Sequence, residues 1–391
     1  MNGAIAKLGR RLRLGVIGGG PGSFIGEVHR TAARLDDNYE IVASVLSSDP
    51  ERSRAAGRQI GLAPERAYGA AAEMFAGEAG RADGMEVVAI MTPNDSHHAL
   101  CCAALERGLD IICDKPLTTN LPDALDLVRR VRQAGVVFCL TFNYTAFPMV
   151  RQARAMVADG DIGEIRMVQV EYVQGHNASL SPGERGAAAA AWRMRPEQAG
   201  ASLILGDIGS HAHHMACFVT GQQFARLCAD VRAVVPGRNA DDYAGVLFQL
   251  DGGAPGVMWV TQAGAGAVHG LHFRVFGATG GLEWFQEEPN QLHHARLGQP
   301  AIVFERHGPG LKPSAQRASR IGIGHPEGFQ EAFAVLYAEA AEAIVARRLG
   351  KPTAAAFPTV EDGARTMKFI DAALESSRAG RWADCRLDLS Q

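Results

Sequence analysis

From residue 1 to residue 143, short continuous apolar runs alternate with amphipathic stretches. The runs predict strands over Leu12–Ile17, Tyr39–Leu46, Val87–Met91, Ile111–Cys113 and Val136–Phe142. The stretches between them predict helices over Ile25–Arg34, Pro50–Ile60, His97–Arg107 and Pro122–Gln133. Runs such as VVAIM and VVFCL are apolar at every position, as a strand covered by helices on both faces requires. Strand and helix signals in strict alternation predict βαβ units and a parallel sheet.

After Tyr144 the texture changes. One helix is predicted over Pro148–Ala158, and alternating stretches follow: GEIRMVQVEYV, DYAGVLFQL, GVMWVTQA, LHFRVFGA and AIVFER. Helical periodicity returns at Leu203–Thr220, Pro326–Arg347 and Thr359–Arg378. Many strands with few helices between them predict an α+β domain with a large, mostly antiparallel open sheet. The expected organisation is an α/β domain over 1–143 and an α+β domain over 144–391. A long small-residue connection over 174–200 joins two of the predicted elements, and connections of that length usually carry function.

Composition narrows the class. The formal net charge of -3 offers no basic field for nucleic acid or anionic lipid. No apolar run approaches the roughly 20 residues that cross a bilayer. Lys7, Arg10, Arg11 and Arg13 give the N-terminus a superficial likeness to a leader, but glycine interrupts the apolar run and no small-residue cleavage site follows. It reads as a polar tail before the first strand. Seven cysteines, odd in number and scattered among apolar neighbours, suit buried thiols in a reducing cytoplasm better than a disulfide framework.

Between the first strand and the first helix stands GGGPGSFIG (18–26), a glycine-rich turn in the context a dinucleotide fingerprint requires. Glycine lets the backbone approach a pyrophosphate, and a helix N-terminus offers N–H groups to it. Gly18 and Gly20 fit the first two fingerprint positions, while position 23 is Ser. Gly26 becomes the third only in a lengthened turn; the alternative is a plain glycine-rich loop. Gly18, Gly20, Pro21, Gly22, Phe24 and Ile25 are the cofactor candidates here. At the end of the second strand, Ser47 and Ser48 stand where an NAD enzyme carries an acid, and Arg52 follows. Hydroxyls and a guanidinium suit a 2′-phosphate, which tilts the expectation from NAD toward NADP. Asp49 before Pro50 reads as a helix N-cap.

Three further stretches carry a resemblance. VAIMTPNDSHHA sets Thr92, Pro93, Asn94 and His97 just past one strand, and IICDKPLTTN sets Asp114, Lys115 and Pro116 past the next. GDIGSHAHHM gives Asp207, Gly209 and His211 at D-x-G-x-H spacing. With FNY at 142–144, GEI at 163–165 and PTVEDG at 358–363, their order resembles the glucose–fructose oxidoreductase, inositol dehydrogenase and MocA family of NAD(P)-dependent dehydrogenases. Departures are the lengthened glycine turn, Asp114 where the family usually has Glu, and His214 where an acid is common. The resemblance implies a Rossmann domain, cofactor contacts that include Asn143, and a homodimer or homotetramer formed through the large sheet. It also implies oxidation or reduction of a secondary hydroxyl on a sugar, sugar derivative or cyclic polyol. A cofactor-recycling lyase or glycosidase and a non-catalytic cofactor-binding regulator are the alternatives.

The residues suit the chemistry. Oxidising a secondary alcohol needs a group that takes the hydroxyl proton as hydride leaves. Lys115 lies at the carboxyl end of a predicted parallel strand, where open α/β sheets hold ligands; the alternative is a surface lysine. The resemblance makes His211 the acid/base and Asp207 its partner or a substrate contact. Asp207 is otherwise a helix N-cap, and residues 207, 211 and 214 share a helical face that a zinc ion could use, although no metal is expected. Tyr144, Trp192, Arg193 and His325 complete the substrate candidates, with packing roles as their alternatives. His325 precedes Pro326 and Glu327, which otherwise read as the first turn of a helix.

Overall fold

The computed structural model describes residues 3–179, 192, 195–353 and 356–389. They form two compact units: Met1–Thr141 with Phe333–Ala364, and Phe142–Ala332 with Arg365–Gln391.

The first unit is a Rossmann-type unit. Its strands are β1 (Leu12–Gly18), β2 (Tyr39–Val45), β3 (Val87–Met91), β4 (Asp110–Cys113) and β5 (Phe138–Leu140), in the order β2-β1-β3-β4-β5. All of their pairings are parallel. Every residue of β3 and β4 is buried, as the continuous apolar runs require. The helices are α1 (Gly3–Leu8), α2 (Phe24–Leu35), α3 (Pro50–Gln59), α4 (Ala71–Ala79), α5 (His97–Leu105) and α6 (Leu121–Ala134). The chain leaves β1 toward β2 and returns to place β3 on its other side. This reversal opens a crevice beyond the carboxyl ends of the strands, the general ligand site of such sheets.

Two expectations are corrected here. The N-terminal tail is helical over Gly3–Leu8, with Ala4 buried. Residues 333–364, expected within the α+β domain, pack in the first unit because their apolar and polar groups complete it. Tyr39 Oη donates to the Tyr337 carbonyl at 2.9 Å, Leu140 N to the Pro358 carbonyl at 2.8 Å, and Arg347 to the buried Asp110 carboxylate at 2.8 Å.

The second unit is built on a nine-stranded sheet. Its strands are β6 (Ile165–Val173), β7 (Phe224–Arg232), β8 (Tyr243–Leu250), β9 (Pro255–Thr261), β10 (Gly270–Gly277), β11 (Gly280–Phe285), β12 (Gln291–Arg296), β13 (Ile302–Glu305) and β14 (Ala383–Asp384). The order is β13-β12-β11-β10-β6-β9-β8-β7-β14, with β6–β9 the one parallel pairing. One face buries Val168, Val170, Tyr172, Met258, Val260, Phe273, Val275 and Trp284. The other exposes Met167, Leu247, Val257, Trp259 and Phe276. The unit's longer helices are α7 (Pro148–Ala158) and α8 (Ser210–Thr220); α9 (Phe329–Arg348) belongs almost wholly to the first unit, and α10 (Val360–Ala379) begins in the first unit and ends in the second. No helix among the described residues is long and apolar enough to cross a membrane.

Candidate active site

In the first unit, the cofactor candidates follow the carboxyl ends of four parallel strands. The glycine turn continues β1, Ser47 and Ser48 continue β2, Thr92-Pro93-Asn94 continue β3, and Asp114-Lys115 continue β4. Gly18, paired with Met91 in the register, has φ +85°, and a Cβ there would lie 2.5 Å from the Met91 carbonyl oxygen. A Cβ on Gly20 would lie 1.9 Å from the Leu46 carbonyl oxygen. Gly26 takes the third fingerprint role, since its Cβ would meet the Gly19 carbonyl oxygen at 1.9 Å. The helix therefore approaches the turn backbone to backbone, and the inserted residues loop outward.

Gly22, at φ +81° with nothing within 4 Å of its Cβ position, leaves open space on the outside of this loop. Pro21 and Phe24 are exposed there, and Ile25 is half-buried. Ser23 caps α2 by accepting from Gly26 N at 3.3 Å. An open glycine cradle at a helix N-terminus fits the pyrophosphate of a dinucleotide.

Asp49 accepts from Arg52 N at 2.7 Å as the cap of α3. Ser47 Oγ accepts from Asp49 N at 3.1 Å, while Ser48 and Arg52 are exposed. His97 begins α5, and its ring serves as a strut between two turns. Nδ1 lies 2.9 Å from the Pro116 carbonyl oxygen and Nε2 3.0 Å from that of Thr92. Asn94 is buried beside it. Asp114 Oδ1 accepts from Lys115 N at 3.0 Å and from Thr141 Oγ1 at 2.8 Å.

The second unit gathers a polar group beside the buried face of its sheet. Helical backbone over 203–220 contains a π-turn at Leu205–Gly209, a local widening frequent at functional sites. Asp207 lies inside that turn, so it is not the N-cap. Capping falls to Ser202, which accepts from Leu205 N at 3.1 Å, and to Asp241, which accepts from Leu203 N at 2.8 Å. Asp207 Oδ2 accepts from Gln262 Nε2 at 2.7 Å. Gln262 Oε1 accepts from Asn177 at 2.9 Å, and Gln174 contacts both Gln262 and His269.

His211 is buried, with its ring 4.7 Å from that of Tyr144 and 5.7 Å from that of Phe142. The Tyr144 and Tyr172 hydroxyls are 2.6 Å apart. Burial pushes the Tyr144 phenol up to about 12 with help from the Asp207 charge, and Tyr172 rises through burial first, then the neighbouring Tyr144 phenol, with a smaller push from Asp207. Both phenols therefore stay neutral and serve as hydrogen-bonding groups. Asn143, in the turn before α7, has a buried side-chain nitrogen without a hydrogen-bond partner.

The other candidates separate from this group. His213 stacks on Phe369 at 4.5 Å and is pushed down to about 3 by burial, with lesser effects from His214 and Arg365; it is a core residue. His214 stacks on Phe142 at 4.4 Å. Residues 207, 211 and 214 do not bring ligand atoms together. Among the described residues, His98, Cys102 and Asp126 alone do so, and Asp126 is already held by Arg129 and Arg130. Trp192 is half-buried, and Arg193 lies outside the described residues. His325 is exposed, and its carbonyl accepts from Arg306. Helix α9 begins only at Phe329, so Pro326 and Glu327 are not its first turn. Glu327 instead holds the preceding loop, pairing with buried Arg306 at 2.8 Å and accepting from Arg320 N and Ile321 N.

Sequence reasoning missed Tyr172, Gln174, Asn177 and Gln262. The available signal was a glutamine at the inward end of an apolar strand, as in YVQG and VTQAG.

A glycine cradle on a parallel sheet, followed in the chain by a sheet bearing an Asp–His helix turn, defines an NAD-binding oxidoreductase. Residues 12–142 match the oxidoreductase family with an NAD-binding Rossmann fold, and residues 150–283 match the GFO/IDH/MocA C-terminal domain. The chain is 33% identical to the uncharacterized oxidoreductase YfiI of Bacillus subtilis, over 95% of this chain and 96% of that one. It is similar to the crystal structure of an oxidoreductase from Sinorhizobium meliloti, with 44% identity, a TM-score of 0.87 and coverage of 96% and 100%. An inositol dehydrogenase homolog from Azotobacter vinelandii, complexed with NADH and myo-inositol, is 36% identical with a TM-score of 0.88 and coverage of 96% and 98%. The protein belongs to the GFO/IDH/MocA family of oxidoreductases.

Proposed function

We propose that this protein transfers hydride between a nicotinamide dinucleotide and a secondary hydroxyl of a cyclic polyol, sugar or sugar derivative. The observation that carries the reading is the hydrogen-bonded group Asp207–Gln262–Gln174–Asn177 beside His211 and two neutral tyrosine hydroxyls. Dense donors and acceptors next to aromatic rings suit a hydroxyl-rich substrate. The A. vinelandii homolog complexed with myo-inositol supports that substrate class.

Hydride acceptance at the nicotinamide ring is the chemistry the bound cofactor supplies. The glycine turn, with Thr92, Pro93, Asn94, His97, Asp114 and Asn143, holds the dinucleotide. Lys115 donates to the reacting oxygen and stabilises its developing negative charge. His211 accepts the hydroxyl proton during oxidation and returns it during reduction. Asp207, fixed by Gln262, orients His211 or a neighbouring hydroxyl, and Tyr144, Trp192, Arg193 and His325 remain substrate-side candidates.

With Asp49 spent on capping, Ser47, Ser48 and Arg52 leave the end of β2 suited to a 2′-phosphate, and we infer a preference for NADP over NAD. The exposed apolar sheet face favours a homodimer or homotetramer, and the free thiols favour a reducing, cytoplasmic setting.

The test offers myo-inositol, its stereoisomers, pyranosides and sugar acids with each cofactor, following reduced nicotinamide by absorbance. Net reduction is expected. Product formation without net reduction would instead favour a recycling lyase, and binding without turnover a regulator.

A further inference from the structure

Behind the Lys115 turn runs a buried row of polar groups. His29, in α2, is completely buried, with Phe333 at 5.2 Å and Tyr337 edge-on at 5.8 Å between ring centroids. Its Nδ1 lies 2.8 Å from Tyr337 Oη. Its Nε2 makes no hydrogen bond and faces Asp114 Oδ1 at 3.9 Å. That oxygen also accepts from Lys115 N and Thr141 Oγ1.

At 3.9 Å the contact is too long for a hydrogen bond, yet charge still acts strongly across it in a dry interior. A lone pair on Nε2 would repel the carboxylate. The Tyr337 hydroxyl therefore donates to Nδ1, and the proton sits on Nε2, facing Asp114. Burial alone would raise the Asp114 carboxyl. His29, the Lys115 charge and the Thr141 hydroxyl outweigh it and hold the group well below the usual carboxylate range. The other titratable groups around it are the Cys113 thiol and the Tyr337 phenol. Both are pushed up, chiefly by burial, and remain neutral.

We propose that His29 is a positioning residue for Lys115: its Nε2 faces the Asp114 carboxylate, and that carboxylate fixes the backbone from which the Lys115 ammonium is presented. The proposal rests on the assignment of Lys115 to hydride transfer. His29→Leu removes the Nε2–H, whereas His29→Gln carries an N–H donor at nearly the same reach.

In the full-length protein, with myo-inositol and either cofactor as probes, His29→Leu should lose about tenfold in kcat for each unit by which the Asp114 pKa moves above the assay pH. The loss should fade toward alkaline pH, where Asp114 ionises without help. KM should hold, and His29→Gln should recover most of the rate. A deficit that does not change with pH would overturn the proposal.

Melting temperature gives a readout that needs no turnover. Without the donor, the folded-state pKa of Asp114 rises, so the ionised carboxylate costs stability above that pKa and the cost vanishes as pH falls through it. The advantage of His29→Gln over His29→Leu should therefore be largest near neutrality and shrink in acid. In an Asp114→Asn background it should lose this pH dependence. A Gln–Leu difference that is constant with pH would again defeat the coupling. Lys115→Met separates the two claims. An inactive Lys115→Met beside a flat His29 profile defeats the positioning role alone, while an active one defeats the assignment of Lys115 itself.

Discussion

Lys115 and His211 reach their places by different local means. Lys115 extends from a strand end that is pinned through its own backbone N–H to Asp114, whereas His211 stands one position into α8, buried against Tyr144 and Phe142. Lys115→Met and His211→Ala should each lower turnover by roughly a hundredfold or more, with cofactor affinity kept, as read by steady-state kinetics and fluorescence titration. Asp207→Asn should cost less, because Gln262 can still engage the amide oxygen. Arg52→Ala should weaken NADP more than NAD in a binding titration; equal effects on both would remove the phosphate-site reading. The residues legible in the sequence were those whose type is unusual in a turn or beside a glycine. Gln174 and Gln262 were not legible, because strand alternation registers them only as polar positions, while the fold buries both, Gln262 against Asp207 and Gln174 against Gln262. Asp207 was visible, but its place inside a π-turn was not, since periodicity reports a helical face and not a local widening.

At the scale of elements, the approach of α2 to the glycine turn depends on two missing side chains. A methyl on Gly26 would sit 1.9 Å from the Gly19 carbonyl oxygen, so Gly26→Ala must push the helix off the turn. It should destabilise the fold by about 1–3 kcal/mol and abolish dinucleotide binding, as measured by thermal melting and titration. Gly22→Ala makes a contrast: space is open there but φ is +81°, so the cost is backbone strain of about 1–2 kcal/mol. The parallel strands were legible because burial on both faces demands continuous apolar runs. Strands β7, β11 and β12 escaped notice for physical reasons. FARLCADVR carries charges that break the alternation, GGLEWF opens on two glycines, and QLHHAR holds two histidines. Pairing with neighbouring strands, together with buried Phe224, Leu227, Leu282, Trp284 and Leu292, holds these three in the sheet.

At the scale of the molecule, Leu247, Val257 and Trp259 lie side by side on the outer face of the sheet, with Leu247 opposite Val257 in the register. We propose that this exposed apolar face is where copies of the chain associate. Trp259→Lys with Leu247→Glu should shift the protein toward monomer in light scattering while the fold, read by circular dichroism, persists. The sequence suggested a chain divided once, near residue 143. It concealed that 333–364 belong with the first unit, because an apolar helix face does not announce which sheet it covers. That return has a consequence for synthesis. The first unit waits for 333–364, and the sheet of the second waits for β14, which pairs with β7. At about 5–20 residues per second, the stretch from Phe142 to Ala332 takes roughly 10–40 s to emerge from a ribosome. Throughout that interval His29 and Tyr39 lack the cover of Phe333 and Tyr337. The nascent chain should therefore engage holding chaperones, and a chain ended before residue 333 should sediment as aggregate instead of yielding a free cofactor-binding domain.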